Sequence, residues 1–477
     1  MSMSPNLVYF VERLQGVSTN TFRLESQNRT SASANDIVTF SLPSNAILNL
    51  RSFKVFGNLT TANTGAGFVR VPPFADLIER VEVSVGGIVL AQGANFVNVL
   101  KEAKSAVQKL DIDSTMGHSE YVRLKSYVDN SVVGALEGYT PTGGQPYFCC
   151  DEWEGFLGTA DPKLLDTSII PDIRVRLYMA TNNVLSNSLG GVLTNVANAA
   201  GYSASTALLS GQAAGINRGA GVATYEVTNL HATIEAIGLA DQTYDQLLSS
   251  QMASQGFLEI PYKSYQSFND THTGASRFSV STQSLDRVWL AWRDVNYNTQ
   301  SAPITIRGHK AAGAFVDPTA GAGATTTEIG LPQYDLGGVL DTNNEKYKGL
   351  YFNFVEPQDG ARVQLQLNGA YMPQFPAFIG EQYGITRNSL QGARVAKNMS
   401  LDQYRQNYCV SCFRLNLPDS EYSRMICGLD TRSVNLAGVV NTQAGAGGGA
   451  ISSNLMIFTE STETMRVGAG RSIEIIS

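Results

Sequence analysis

The groups in this 477-residue chain best suited to metal, redox or nucleophilic chemistry are four histidines and five cysteines. His118, His231, His272 and His309 include no two at helical or metal-ligand spacing, so none reads as a zinc ligand or a catalytic base. "CVSC", Cys409 to Cys412, is the only CxxC. Its setting, "NYCVSCFRLNL", alternates as a strand does. That sends the two thiols to opposite faces and favours small buried side chains over a redox pair or a zinc half-site. Cys427 completes a metal site only if the fold gathers all three thiols, and the adjacent Cys149 and Cys150 take the same buried reading.

The carboxylates are no more telling. "DIDST" from Asp111 and "DEWEG" from Asp151 lack the alternating oxygen ligands and central glycine of a calcium loop. A glycosidase pair can come from distant strands, but nothing singles one out. No GxGxxG or GxxxxGK[ST] follows a strand and opens a helix, and there is no GxSxG elbow. Asn28, Asn58, Asn269 and Asn398 each stand two before Ser or Thr, a frequent accident in a chain rich in these residues, and are given no role. The sequence thus assigns no catalytic, cofactor-binding or metal residue and implies no cofactor.

The elements that would carry such groups are strands. Alternating apolar and polar residues recur between Gly, Pro, Asn and Ser clusters. Strands are expected at "DIVTFSL" from Asp36, "SFKVFGNL" from Ser52, "DIRVRLYM" from Asp172, "ATIEAIGL" from Ala232 and "RFSVSTQS" from Arg277. Others are expected at "RVWLAWRDV" from Arg287, "LYFNFV" from Leu350, "SVNLAGVV" from Ser433 and "SNLMIF" from Ser453. Helical spacing is scarce: Phe96, Leu100, Ala103, Val107 and Leu110 share one face of "ANFVNVLKEAKSAVQKL", and "DSEYSRMICG" offers Asp419 as N-cap and Gly428 as stop. The fold class is therefore all-β with a few short helices. Stretches of small residues from Leu185, Ala311 and Asn441 bury little area and read as long surface loops.

Only 16% of residues are charged and the net charge is -7, against about a quarter charged in average soluble proteins. That acidity argues against a chain that neutralises nucleic acid by itself. The opening "MSMSPNLVYFVERLQG" lacks a basic segment followed by an apolar core, so no secretory signal is expected. No stretch approaches about 18 apolar residues, so no spanning helix is expected. An odd number of cysteines fits a reducing compartment better than a disulfide framework.

One object occurs twice. At an offset of 282, "RVEVSVGGIVLAQGANF" from Arg80 falls on "RVQLQLNGAYMPQFPAF" from Arg362. Val81, Val83 and Val85 meet Val363, Leu365 and Leu367; Gly87 meets Gly369, and Phe96 meets Phe378. Each copy reads as a strand, a two-residue turn needing positive φ, and a returning strand, with Glu82 and Ser84 or Gln364 and Gln366 outward. The chain reads as an internal duplication, 1–250 and 251–477, divided near "QTYDQLLSSQMASQGF". Loop insertions fall at about 185–222 and 293–346, and the second explains why the offset exceeds half the chain.

The run "FADLIERVEVSVGGIVL" from Phe74, and "FRLNLPDSEYSRMICGLDTRSVNL" from Phe413 continuing through "LMIFTESTETMRVGAGRSIEII", resemble the double jelly-roll major capsid proteins. These belong to the lineage of adenovirus, tailless membrane-containing phages and large DNA viruses; a Polinton-like virus or virophage type suits the chain length best. The resemblance implies two eight-stranded jelly-roll sandwiches in tandem, standing side by side, with three chains closing into a pseudo-hexameric capsomer that tiles an icosahedral shell. It implies a virion protein assembled inside the host cell and no enzyme. The implied partners are other copies of itself in the homotrimer and in neighbouring capsomers, penton and minor or cement capsid proteins, and internal membrane proteins where a membrane lines the shell. Direct sequence-specific nucleic-acid binding is not implied, and residues 1–30 carry too few positive charges for a basic arm. The alternative is a jelly-roll carbohydrate-binding or carbohydrate-active protein, for which Trp153, Trp289 and Trp292 are few and scattered. A trimeric tail or receptor-binding protein would want fibrous repeats, and the sequence has none.

Overall fold

The computed structural model describes residues 17–63, 68–108, 147–188, 215–216, 222–239, 250–298, 304–305, 314–316, 325–327, 350–390, 399–416, 427–432, 436–445 and 451–477, apart from one or two residues at a time inside these spans. Eight strands come first: β1 Val17–Glu25, β2 Ile37–Ser41, β3 Ile47–Asn63, β4 Ile78–Val85, β5 Ile88–Leu90, β6 Tyr147–Cys150, β7 Ile173–Met179 and β8 Ala223–Leu239. They form two antiparallel sheets with strand orders β1-β8-β3-β6 and β2-β7-β4-β5.

Eight more follow: β9 Phe257–His272, β10 Ala275–Val280, β11 Leu285–Arg293, β12 Arg362–Leu367, β13 Ala370–Phe378, β14 Val410–Arg414, β15 Leu436–Gln443 and β16 Ser453–Gly468. Their orders are β9-β16-β11-β14 and β10-β15-β12-β13. Adding eight to every label of the first pair of sheets gives the second pair. In both, the first strand lies beside the last and the second beside the seventh, the interleaving of a jelly roll. Short strands add to the edges: Ala32–Ser33 on β8, Leu164–Asp166 on β3 and Ile473–Ile476 on β16.

The repeated hairpins sit at matching places, β4-β5 and β12-β13. Val85 pairs with Ile88 and Leu367 with Ala370, leaving two-residue turns. Gly86 and Gly87 have φ of 58° and 87°, Asn368 and Gly369 of 47° and 88°, so all four take the left-handed conformation of a type I′ turn. The duplication continues into helices α1 (Val97–Val107) and α2 (Ile379–Ser389), which start and stop at the same offset of 282.

Of the strands expected from alternation, eight lie where the pattern puts them. "LYFNFV" does not: Leu350–Phe352 form a 3-10 turn and Phe354 makes only isolated bridges to Arg293 and Tyr408. Tyr351, Phe352, Phe354 and Val355 are all buried, so these rings fill space between elements instead of alternating across a sheet. Helix α1 also departs from a one-faced pattern, since ten of its eleven residues are buried. Glu82, expected to face outward, is covered by Arg80, Arg176 and Tyr178, with Arg176 Nη1 at 2.8 Å. Leu110 and residues 419–426 lie outside the described residues, as does most of the two insertions, and Gly428, the expected stop, is not helical. Several short pieces of those insertions are described: Gly215–Ile216 pairs with Ile304–Thr305, and Ala314–Val316 with Thr325–Thr327.

Each half packs aromatic side chains between its sheets. Phe40 of β2 meets Phe53 of β3 edge-on at 6.2 Å, and Phe53 meets Trp153 at 5.3 Å. Trp153 donates its indole N–H to Phe53 O at 2.6 Å. In the second half Phe268 of β9 lies 5.7 Å from Phe278 of β10. Among the described residues no helix is long and apolar enough to cross a membrane.

A Cβ added at Gly87 or Gly369 would meet open space, but the positive φ there strains any other residue, so replacement by Val tests conformation alone. Gly87→Val and Gly369→Val are each expected to lower stability by about 1–2 kcal/mol, read by urea unfolding, with no change in the m-value.

Candidate functional site

Among the described residues, a cluster of polar contacts lies where the two halves meet. Strand β9 lies at the end of its sheet, and such a strand carries an outward row of backbone groups that must be covered. The first half covers it. Asp161 N donates to Pro261 O at 3.0 Å and Ser267 N donates to Gly93 O at 3.1 Å. Lys263 N donates to Thr159 Oγ1 at 2.9 Å. A Cβ at Gly93 would stand 3.0 Å from Gln266 Cγ, a tight approach. Phe156 meets Tyr262 edge-on at 5.4 Å, and Arg471 reaches Ser168 O at 2.7 Å. A cavity of about 20 Å³ in this seam, lined by Val83, Leu90, Val97, Glu154, Phe156 and Tyr265, has room for a single water.

Helix α1 explains its own burial here, packing on β4 of its own half and on Leu350–Phe352 and β14 of the other. Lys104 of α1 holds Glu154 at 2.8 Å, donates to Tyr265 OH at 2.9 Å and lies over the Tyr265 ring. Behind them, buried Glu460 of β16 accepts from Trp289 Nε1 at 3.3 Å and lies 3.8 Å from Arg287 Nη1. Burial alone would raise its carboxyl, but Lys104, Arg287 and Lys263 together hold it below the ordinary carboxylate value. Asp286 collects Lys263 Nζ at 2.6 Å, Thr462 Oγ1 at 2.5 Å and Ser284 Oγ at 2.8 Å. Burial pushes the Tyr265 phenol well up, so it stays a neutral hydroxyl.

Pattern reading alone does not single out these seam residues. The one available signal is "TESTET", Thr459 to Thr464, a polar run inside a long strand with no Gly or Pro. All six residues are buried, against the usual rule that a strand covered on both faces reads as apolar.

The candidates weighed from the sequence are scattered. His231 places Nδ1 2.9 Å from Asn229 O and stacks on Phe56, while His118 and His309 lie outside the described residues. His272 is fully buried, with Nδ1 2.7 Å from Ser276 Oγ, Nε2 2.8 Å from Thr442 Oγ1 and its ring against Trp292. Burial lowers its pKa to about 4. Cys150, Cys409 and Cys412 are buried and Cys427 is half-buried. Burial pushes the Cys412 thiol up to about 12 and Cys409 well up, which makes both poor nucleophiles. Asp151 lies 3.7 Å from Lys54. Asn28 and Asn269 donate their side-chain amides to Ile37 O and Tyr297 OH at the surface, and Asn398 lies outside the described residues. Trp153, Trp289 and Trp292 are all buried. Among the described residues no three His, Cys, Asp or Glu side chains gather as a metal site.

No family model matches the chain, and no curated protein matches it. Solved structures do. The PBCV-1 VP54 crystal structure fitted into a reconstruction of the virophage Sputnik is similar at 13% identity and a TM-score of 0.56, covering 99% of each chain. The quasi-atomic model of the PBCV-1 virus capsid is similar at 14% identity and 0.54, covering 98% of this chain and 99% of that one. The Faustovirus major capsid protein is similar at 9% identity and 0.52, covering 97% and 92%. At such identities the likeness is one of fold, and the chain shares over nearly its whole length the tandem jelly-roll fold of these capsid proteins.

Removing Lys104 takes the paired cation from Glu154 and one of the three cations that hold Glu460 ionised. Lys104→Met is expected to cost about 2–3 kcal/mol in urea unfolding, whereas Arg174→Met, which breaks the exposed pair with Asp172, should cost under about 1 kcal/mol. His272 sets a pH window. The unfolded chain protonates it near 6.5 and the folded chain only near 4, so its stability is intact above 6.5 and is lost as pH falls toward 4. His272→Gln should flatten that part of the melting-temperature profile, while the Glu460 contribution, lost only below the ordinary carboxylate value of 4.5, should persist.

Proposed function

We propose that the chain is a major capsid protein of a DNA virus, forming homotrimers whose six jelly rolls make a pseudo-hexameric capsomer that tiles an icosahedral shell. The observation that carries this reading is the identical strand order of the two pairs of sheets, joined side by side through a seam. A chain of two like halves turns three-fold closure into a six-sided outline. The proposed division is 1–250 and 251–477, supported by the last strand of the first sheets ending at Leu239 and the first strand of the second beginning at Phe257. The insertions at about 185–222 and 293–346 are the proposed towers at the three-fold axis, and the pairing of Gly215–Ile216 with Ile304–Thr305 supports their meeting.

In this role the protein works without catalysis, in the virion shell, after assembly inside the host cell. Its partners are copies of itself, penton and minor or cement proteins, and membrane proteins where a membrane lies beneath the shell; it reads no nucleic-acid sequence. A carbohydrate-binding jelly roll would stack a sugar on an exposed indole, and all three tryptophans are buried.

Negative-stain imaging of the purified chain, with light scattering for mass, tests the reading. Six-sided particles of three-chain mass are expected. A monodisperse monomer at high concentration would overturn it.

A further inference from the structure

The seam inside one chain is a contact between unlike surfaces. The first half presents α1 and the segment at Gly93, and the second presents the edge of β9. Because the halves are duplicates, each surface has a counterpart on the other half. The counterpart of β9 is β1, first in the matching sheet order. The counterparts of α1 and Gly93, at the offset of 282, are α2 and Phe375.

Among the described residues both counterparts are less covered. β9 is covered through its middle, whereas seven of the eight residues from Ser18 to Glu25 in β1 are exposed, with Phe22 at 45%. The strand, "VSTNTFRLE", has no proline to protect its free edge. α1 is buried nearly all round, but α2 buries only Ile379, Gln382, Thr386 and Ser389, the face turned to its own sheets. Beside it Phe375 is 52% exposed, Tyr371 41% and Phe378 37%, and Leu401 is 41% exposed near Gly380.

The setting of Phe375 is built. Leu365 pairs with Met372 and Val363 with Ala377, so residues 373–376 bulge out of the β12-β13 ladder. Gln364 Nε2 pins the bulge by donating to Pro373 O at 2.9 Å. Pro373 and Pro376 remove N–H donors, so β13 offers rings rather than ladder hydrogen bonds. A ring fixed this way loses little entropy on docking.

We propose that Tyr371, Phe375, Phe378 and the outer face of α2 pack on β1 of a second copy, repeating between chains the contact that α1 and Gly93 make with β9 within one. The contact is head-to-tail, so it leaves a fresh β1 and a fresh Phe375 surface at the two ends until a ring closes. This inference rests on the self-assembly reading and names the surfaces that carry it.

The test uses the full chain in a Cys427→Ser background. Phe22→Cys and Phe375→Cys are made singly and together, treated with a short bis-maleimide and run on denaturing gels. The double variant is expected to give products of two and three chains and each single variant none. Phe375→Asp should weaken self-association by at least about tenfold with an unchanged melting temperature. A parent of three-chain mass whose double variant stays uncrosslinked, or whose Phe375→Asp form assembles as tightly, overturns the assigned surfaces while sparing the assembly reading. A monomeric parent overturns both. Should Phe375→Asp misfold, the cross-linking result decides alone.

Discussion

The constraint on which the rest depends is the uncovered edge of an end strand. A jelly roll has open sheet edges, and unpaired N–H and C=O groups along them invite pairing with any available chain. In this protein the edge of β9 is closed by groups of the other half: Gly93 and Thr159 accept from Ser267 and Lys263, and Asp161 donates to Pro261 O. Those three contacts set the halves side by side, and the burial of α1 and the position of Lys104 follow from that placement.

Covering an edge with another folded half brings polar groups into the interior, where each must find a partner. The seam meets that demand with charge as well as backbone. Lys104 serves Glu154 and Tyr265, while Asp286 serves Lys263, Thr462 and Ser284. Such a network adds less to stability than an apolar core of the same volume would, since desolvation offsets most of the attraction. Of these contacts, the one from Lys104 to Tyr265 spans the two halves.

How much was legible in the sequence follows from the range of each interaction. Alternation in "DIRVRLYM" and "RFSVST" depends on one sheet with one covered face, and strands formed there. The turns at Gly87 and Gly369 depend on two residues and were equally plain. "TESTET" and α1 were opaque because their polar groups find partners far away in sequence, Thr462 on Asp286, Glu463 on Tyr262 and Lys104 on Tyr265 of the other half. "LYFNFV" misled because rings wedged between a helix and a sheet leave the same alternation as a strand does. The proposed self-assembly surfaces carry no sharp chemical motif, and only the matching places of β1 and β9 in their sheet orders relate them.

The seam within the chain and the proposed contact between chains would face different energetic demands. Within one chain the halves are tethered, so the contact forms at high effective concentration and tolerates a polar interior. Gly93 there lets backbone approach backbone, and Lys104 supplies charge. A contact between chains must also offset the loss of translational and rotational freedom, which calls for fixed apolar anchors. At the shared offset Gly93 becomes Phe375, and Lys104 becomes Thr386, turned inward to accept from Cys412 N at 3.0 Å. The duplicated halves thus differ at these matching positions, with polar closeness in the covered seam and exposed rings at the proposed one.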